Sequence, residues 1–143
     1  MAELIEDGWA EELAAFSPVI RAFPVLPHEE NTTNAIAQRI AQHAKSRNRN
    51  PARHLGEAQA IALALREAYQ EAFLLLDELA ARAVAQEFRL GITGFPGVLL
   101  LAVQDGMITP ADLVDRLEKC RQQGTHYSTE LIQRVYEIAR SGS

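Results

Sequence analysis

The chain has 143 residues, 48% of them hydrophobic and 23% charged, which is the composition of one globular domain and excludes a disordered chain. Its net charge of -5 argues against nucleic-acid binding by bulk charge alone, although a local basic patch is compatible with it. The single cysteine, Cys120, excludes an intramolecular disulfide framework and a zinc finger built on cysteines.

The amino-terminal part predicts one short helix followed by an extended segment. Residues 1–7 are acidic and lack the basic start and long apolar stretch of a signal peptide. No apolar run reaches the ~20 residues of a membrane span, so we expect a soluble, cytoplasmic protein with no membrane contact. Residues 9–16 predict two helical turns. Residues 19–26 predict an edge strand or an extended segment, because Pro24 cannot donate a ladder hydrogen bond.

The middle of the chain alternates between helical and strand-like patterns. Asn31, Thr32 and Thr33 offer an N-cap for the first helix of this region. The expected elements, in order, are a helix at about 34–46, a loop at 47–56, a deeply buried helix at about 57–70, a buried strand at 72–76, a helix at 78–88 and a short strand at 90–93. This succession is typical of an α/β layer with a parallel sheet.

The last third of the chain predicts three helices with clear ends. Pro96 suits the first turn of a helix that Gly106 ends. Thr109 caps a second helix that Gly124 ends, and Ser128 caps the last one. The regularly spaced Leu and Val residues of the last two helices predict a core or an interface.

Two acidic residues occupy positions where chemistry could take place. Glu57 opens a helix directly after Gly56, and Asp77 follows the predicted buried strand. Both would lie at the carboxyl edge of a parallel sheet, where such folds bind ligands. Paired carboxylates there could hold Mg²⁺ or Mn²⁺. The alternative is structural, since Glu57 also suits the positive end of a helix and Asp77 also suits an N-cap.

A basic segment precedes Glu57. Residues 31–56 contain no acidic residue and include Arg47, Arg49 and Arg53. These arginines could bind phosphates without reading bases. A solvated loop is the alternative interpretation of the same charges.

Two further patterns predict no chemistry. The four histidines lack the spacing of a zinc site. Gly91, Gly94 and Gly97 indicate turns and close packing, because they form neither a dinucleotide-binding nor a P-loop motif.

Four blocks of the sequence, taken together, resemble one known family. They are LGEAQAIALA (55–64), FLLLDELAARAVA (73–85), ITGFPGVLLLAVQDGMI (92–108) and HYSTELIQRVYEIA (126–139). In order and spacing they resemble the bacterial and archaeal PIN-like family of predicted nucleic-acid-binding proteins over about residues 53–140. Residues 1–30 match the family more loosely.

The resemblance implies a metal-dependent ribonuclease of the kind found as toxins in toxin–antitoxin pairs, with a three-layer sandwich around a parallel sheet. It makes Asp77 and Glu57 catalytic and places them, with Glu3, in an acidic cluster that holds Mg²⁺ or Mn²⁺. Arg82 matches the family's arginine after the strand, and we expect it to contact nucleic acid together with Arg47, Arg49 and Arg53.

The chain departs from the family pattern in two places. The family opens with a strand that ends in Asp, and this chain starts after that unit. The residues GFPG at 94–97 replace the usual G-T-x-G, which removes a hydroxyl near the site. Fewer carboxylates bind a hard cation more weakly, and metal-assisted hydrolysis needs the full cluster.

These observations predict a single helix-rich, PIN-like α/β domain over residues 1–143 that is N-terminally incomplete, with residues 31–140 as its core and carboxy-terminal helices. We expect a degenerate relative of toxin-type ribonucleases with no or weak activity by itself. The alternative is an active Mg²⁺-dependent ribonuclease whose first Asp is supplied by another segment or chain. The expected partners are a second copy of the chain (a homo-oligomer), RNA and an antitoxin protein.

Overall fold

The computed structural model describes residues 21–142. The predicted helix at 9–16, the first two residues of the 19–26 segment and Glu3 lie outside these residues. The described helices are α1 (Glu30–Gln42), α2 (Leu55–Ala64), α3 (Leu79–Glu87), α4 (Phe95–Gln104), α5 (Pro110–Gln122) and α6 (Thr129–Ser141), and the strands are β1 (Phe73–Leu75) and β2 (Gly91–Thr93). Short 3₁₀ turns occupy Pro27–Glu29, Pro51–His54 and Glu67–Tyr69.

The two strands form a short parallel sheet, and α3 is the crossover between them. The register pairs Phe73 with Gly91 and Leu75 with Thr93. A helix-rich α/β fold with a parallel sheet is therefore confirmed. Residues 21–26 contribute no strand, and the carbonyl oxygen of Pro24 accepts a hydrogen bond from Arg66 at 2.8 Å.

The prediction that β1 is buried is wrong for one of its faces. Phe73 is 71% exposed and Leu75 is 56% exposed, whereas Leu76 is buried and Leu74 packs against the core. Side chains of a strand alternate between the two faces of the sheet, and in the described part of the chain the helices cover only one face here. The homo-oligomer, which could cover such a face, stays a prediction.

The buried apolar side chains form two clusters. The first joins α1, α2 and α3, with Ile40, Ile61 and Val84 fully buried at its centre. The second joins α4, α5 and α6 around Leu113 and Leu117. Leu113, Leu117 and Val135 of the stripe predicted for the last helices are therefore core, whereas Leu131 of the same stripe is 37% exposed.

The predicted ends of the last helices are confirmed by their caps. Thr109 accepts a hydrogen bond from the N–H of Asp112 in a capping box, and Ser128 accepts from the N–H of Leu131. Gly124 follows α5 with a φ of 102°, a conformation that side chains disfavour.

The ends of α1 and α2 differ from the prediction, and at the end of α1 the reason is tertiary. α1 ends at Gln42, because Arg49 donates to the carbonyl oxygens of Gln42 and Ala41 at 3.0 and 3.3 Å and so supplies partners for the last turn. At its start, the Thr33 hydroxyl donates to the carbonyl oxygen of Glu29 within the first turn, so it does not cap the helix. α2 begins two residues before Glu57 and ends at Ala64.

A bidentate ion pair connects the 3₁₀ turn before α1 to the end of α2. Arg66 donates from Nε and Nη2 to the two carboxylate oxygens of Glu29, at 2.7 and 2.8 Å. The Glu29 side chain is 12% exposed. The hydrogen bond from Arg66, followed by one from the N–H of Leu26, lowers the pKa of Glu29 from 4.5 to about 2.

The substitution Glu29→Gln is expected to remove part of the acid sensitivity of the fold. Because the pKa of Glu29 is lower in the folded chain, its carboxylate stabilises the fold above pH 4.5, and this contribution is lost as the pH falls from 4.5 toward about 2. Urea unfolding from neutral pH down to about pH 2 should show a steeper loss of stability in the wild type than in Glu29→Gln. Glu30→Gln, at the exposed next position, is the control for loss of one negative charge. Equal pH dependence in wild type and Glu29→Gln would contradict the expectation.

Close packing of α4 against β2 depends on Gly97. A β-carbon at Gly97 would lie 2.2 Å from Oγ1 of Thr93 and 3.6 Å from the β-carbon of Thr93. The first distance is a severe overlap and the second is an ordinary contact. Among residues 21–142, the Thr93 hydroxyl is thus the one group that excludes a side chain at Gly97.

We expect Gly97→Ala to destabilise the fold by about 1–3 kcal/mol, because the overlap forces Thr93 or α4 to move. In the Thr93→Ala background the overlap is gone, and the same change should be neutral or stabilising by up to about 1 kcal/mol through helix propensity. Urea unfolding of the four proteins of this double-mutant cycle measures the coupling. An equal cost of Gly97→Ala in both backgrounds would show that another contact excludes the side chain.

Candidate functional site

A cleft of about 690 Å³ lies at the carboxyl ends of the two parallel strands. Its lining comes from the loop after α1, the start of α3, the β2–α4 junction, and the turn between α5 and α6 together with the start of α6. Parallel α/β sheets bind ligands at this edge, where strands end and helices begin. We call it the strand-end cleft.

Asp77 lines the strand-end cleft, two residues after the end of β1. The structural alternative, in which Asp77 caps the next helix, is wrong. Glu78 is the N-cap of α3, and its carboxylate accepts a hydrogen bond from the N–H of Ala81 at 2.6 Å. Glu78 is therefore engaged with the helix end, and exposed Asp77 is left to face a ligand.

Arg82 reaches the same point from the second turn of α3. Its Nη1 donates to the carbonyl oxygen of Leu76 at 2.9 Å, which fixes the guanidinium group at the end of β1. A β-carbon on Gly94 would lie 3.0 Å from this Nη1 and 3.3 Å from Oδ1 of Asp77. Because Gly94 has no side chain, the guanidinium group of Arg82 and the carboxylate of Asp77 can both lie close to the end of β2.

Arg47 lines the cleft from the loop between α1 and α2. This loop is organised by His54, which is only 4% exposed and whose Nε2 donates to the carbonyl oxygen of Asn48 at 2.7 Å. The Ser46 hydroxyl donates to the same oxygen at 2.7 Å. The buried imidazole and the Ser46 hydroxyl thus both hold the carbonyl oxygen of Asn48, the residue that follows Arg47.

The four arginines predicted to contact nucleic acid take different positions. Arg47 and Arg82 line the strand-end cleft. Arg49 is bonded to the last carbonyl oxygens of α1. Arg53 is exposed on the 3₁₀ turn and is not among the described residues that line the cleft.

Glu57 is not brought together with Asp77 in this cleft. It is half-buried in the first turn of α2 and is not part of the cleft lining. Within residues 21–142, no group of three or more His, Cys, Asp or Glu side chains could hold a metal ion. The catalytic and metal-binding roles of Glu57, Asp77 and Glu3 stay predictions.

A further wall of the cleft contains residues that the sequence did not single out. His126 and Tyr127 lie in the turn between α5 and α6, and His126 is exposed. Burial raises the pKa of the Tyr127 hydroxyl, and the negative charge of Asp77 raises it further. Asp77 and Tyr127 therefore line the same cleft within electrostatic range of each other.

Thr93 is a third residue that sequence reasoning missed. Its side chain lines the cleft at the end of β2, and its hydroxyl donates to the carbonyl oxygen of Gly94 at 3.3 Å. GFPG lacks the hydroxyl of the family's G-T-x-G block, and Thr93 places one immediately before it. The signal that could have identified Thr93 was its position at the end of the predicted strand at 90–93.

A family model described as a PIN domain matches residues 24–141. Searches of curated proteins and of solved structures gave no match. Among the described residues, no helix is both long and apolar enough to cross a membrane. PIN domains have a nuclease-type fold and are generally dependent on divalent metal ions. The match covers most of the chain and includes every described helix and strand, so the chain belongs to the PIN domain family.

Proposed function

We propose that this chain is a degenerate relative of toxin-type ribonucleases that binds the RNA backbone in the strand-end cleft and hydrolyses it weakly or not at all by itself. The observation that supports the proposal is that Arg47 and Arg82 line the same cleft as Asp77, whose carboxylate, unlike that of Glu78, does not cap a helix. Guanidinium groups bind phosphate oxygens strongly and in a bidentate manner.

The described residues of the cleft do not by themselves fit a divalent cation of the kind PIN domains use. Mg²⁺ and Mn²⁺ prefer several oxygen ligands. Asp77 offers a carboxylate, whereas that of Glu78 accepts the N–H of Ala81, and Nη1 of Arg82 and Oδ1 of Asp77 both lie close to Gly94. A positive charge held at Asp77 would be opposed by Arg82, so we expect weak binding of these ions.

The second candidate is an active Mg²⁺-dependent ribonuclease, the toxin partner of an antitoxin protein. Membership of the PIN domain family and the exposed carboxylate of Asp77 at the strand end favour it. This candidate needs further carboxylates, supplied by another segment or by another chain. The affinity for metal ions therefore separates the two candidates.

Titration calorimetry with Mn²⁺ is expected to give a dissociation constant on the order of millimolar, because too few oxygen ligands converge at Asp77. Asp77→Asn should abolish this binding. Glu57→Gln is the matched control and should leave it unchanged, since Glu57 lies outside the cleft. A micromolar dissociation constant that Asp77→Asn abolishes would favour the active ribonuclease.

RNA binding is expected to depend on Arg47 in a salt-dependent and sequence-independent manner. Loss of one phosphate contact should lower the slope of log K against log salt concentration by about 0.7 for single-stranded RNA. We therefore expect Arg47→Ala to weaken binding of a labelled single-stranded RNA, measured by fluorescence anisotropy over a range of salt concentrations, and to reduce this slope.

Arg53→Ala is the matched control, because it removes the same charge from the same basic segment but outside the cleft. It should leave both the affinity and the slope close to those of the wild type. Equal losses in the two variants would show that the basic segment attracts RNA without the cleft. A wild-type protein that does not bind RNA would refute the proposed function.

A further inference from the structure

We propose that Tyr127 and His126 form a base-stacking wall, so that the strand-end cleft seats one nucleotide of RNA with its phosphate on Arg47 and Arg82 and its base on the α5–α6 turn. This inference rests on the proposed function and extends it from the backbone to the base. It predicts recognition of a base by its flat face, which every base has, rather than by its hydrogen-bonding edge.

The position of the wall supports this assignment. Tyr127 lines the same cleft as Arg82, and the charge of Asp77 influences its hydroxyl. The arginines enter from the loop after α1 and from α3, whereas Tyr127 enters from the α5–α6 turn. A ligand between them would be charged on one side and aromatic on the other, as a nucleotide is.

The apolar lining is a second, independent observation. Leu79 is 55% exposed and Leu131 is 37% exposed, although both line the cleft, and Pro96 and Ile92 add further apolar surface. Exposed leucines would contribute nothing to the binding of a phosphate group alone. A flat base inserted beside Tyr127 would remove this surface from water, which is favourable.

The turn that carries Tyr127 is fixed at both ends. Gly124 ends α5, and the N–H of Thr125 donates to the carbonyl oxygen of Cys120 at 3.0 Å. The N–H of Tyr127 donates to Thr125 at 2.9 Å, and Ser128 then caps α6. Tyr127 also packs against the second core cluster. A ring held in this way loses little conformational entropy when a base stacks on it.

The size of the cleft agrees with one nucleotide. Its volume of about 690 Å³ lies within the roughly 300–1,000 Å³ that is usual for sites that enclose a small organic ligand. The base would occupy the part between Tyr127 and Leu79, and the phosphate the part between Arg47 and Arg82.

The test compares two single-stranded probes of equal length and charge, an oligouridylate and the same ribose-phosphate chain without bases. Tyr127→Leu keeps an apolar side chain but removes the aromatic face, and Tyr127→Phe keeps the face but removes the hydroxyl. We expect Tyr127→Leu to weaken oligouridylate binding by on the order of tenfold and to leave the abasic probe unchanged. Tyr127→Phe should bind both probes as the wild type does, and Arg47→Ala should weaken both.

His126→Ala provides a second variant that does not disturb the core, since His126 is exposed. It should weaken oligouridylate binding several-fold and again spare the abasic probe. If neither Tyr127→Leu nor His126→Ala affects oligouridylate binding, or if both weaken the two probes equally, the stacking wall is refuted.

Three other outcomes bear on this inference or on its premise. A wild-type protein that binds neither probe would refute the proposed function and this inference with it. Binding of both probes with equal affinity by the wild type would retain the proposed function and refute the stacking wall alone. Tighter binding of uridine monophosphate than of oligouridylate would show that the site serves a free nucleotide and would overturn the assignment to RNA.

Discussion

The strand-end cleft depends on one hydrogen bond, from Nη1 of Arg82 to the carbonyl oxygen of Leu76, and on the space that Gly94 leaves for it. The bond satisfies a backbone carbonyl at the end of β1 and holds a positive charge beside Asp77. Without a side chain at Gly94, β2 can lie close enough for its carboxyl end to share this site. The fold and the charge of the cleft therefore depend on the same few atoms.

Local signals were sufficient for much of the fold. The caps at Thr109 and Ser128 and the stop at Gly124 depend on residues adjacent in sequence, and they were predicted. The end of α1 was not predicted, because it depends on Arg49, which reaches back from the following loop to the last carbonyl oxygens. The exposure of Phe73 was also missed, because an unbroken apolar run does not reveal how many faces of a strand are covered.

The candidate site was predictable only in part, for a similar reason. Asp77 comes shortly after β1 and Arg82 lies in the helix that follows, so their position at the strand end could be inferred from the sequence pattern and from the family resemblance. Arg47 and Arg49 lie in the same basic segment, and the sequence does not distinguish their roles. In the structure Arg47 lines the cleft, whereas Arg49 is hydrogen-bonded to the end of α1. Tyr127 lies far along the chain from β1, and only the packing of α4, α5 and α6 brings it to the cleft.

The two walls of the cleft respond differently to the solvent. Contacts between arginines and phosphates release bound counterions, so they weaken as salt concentration rises. Burial of a base against Tyr127 and Leu79 is driven by removal of apolar surface from water and is not screened by salt. The RNA affinity that persists at high salt therefore reports mainly the aromatic wall. The slope of log K against log salt concentration, measured at low salt, reports mainly Arg47 and Arg82. A cleft that contained only the arginines would have no such residual affinity, and a cleft that contained only the aromatic wall would have no slope.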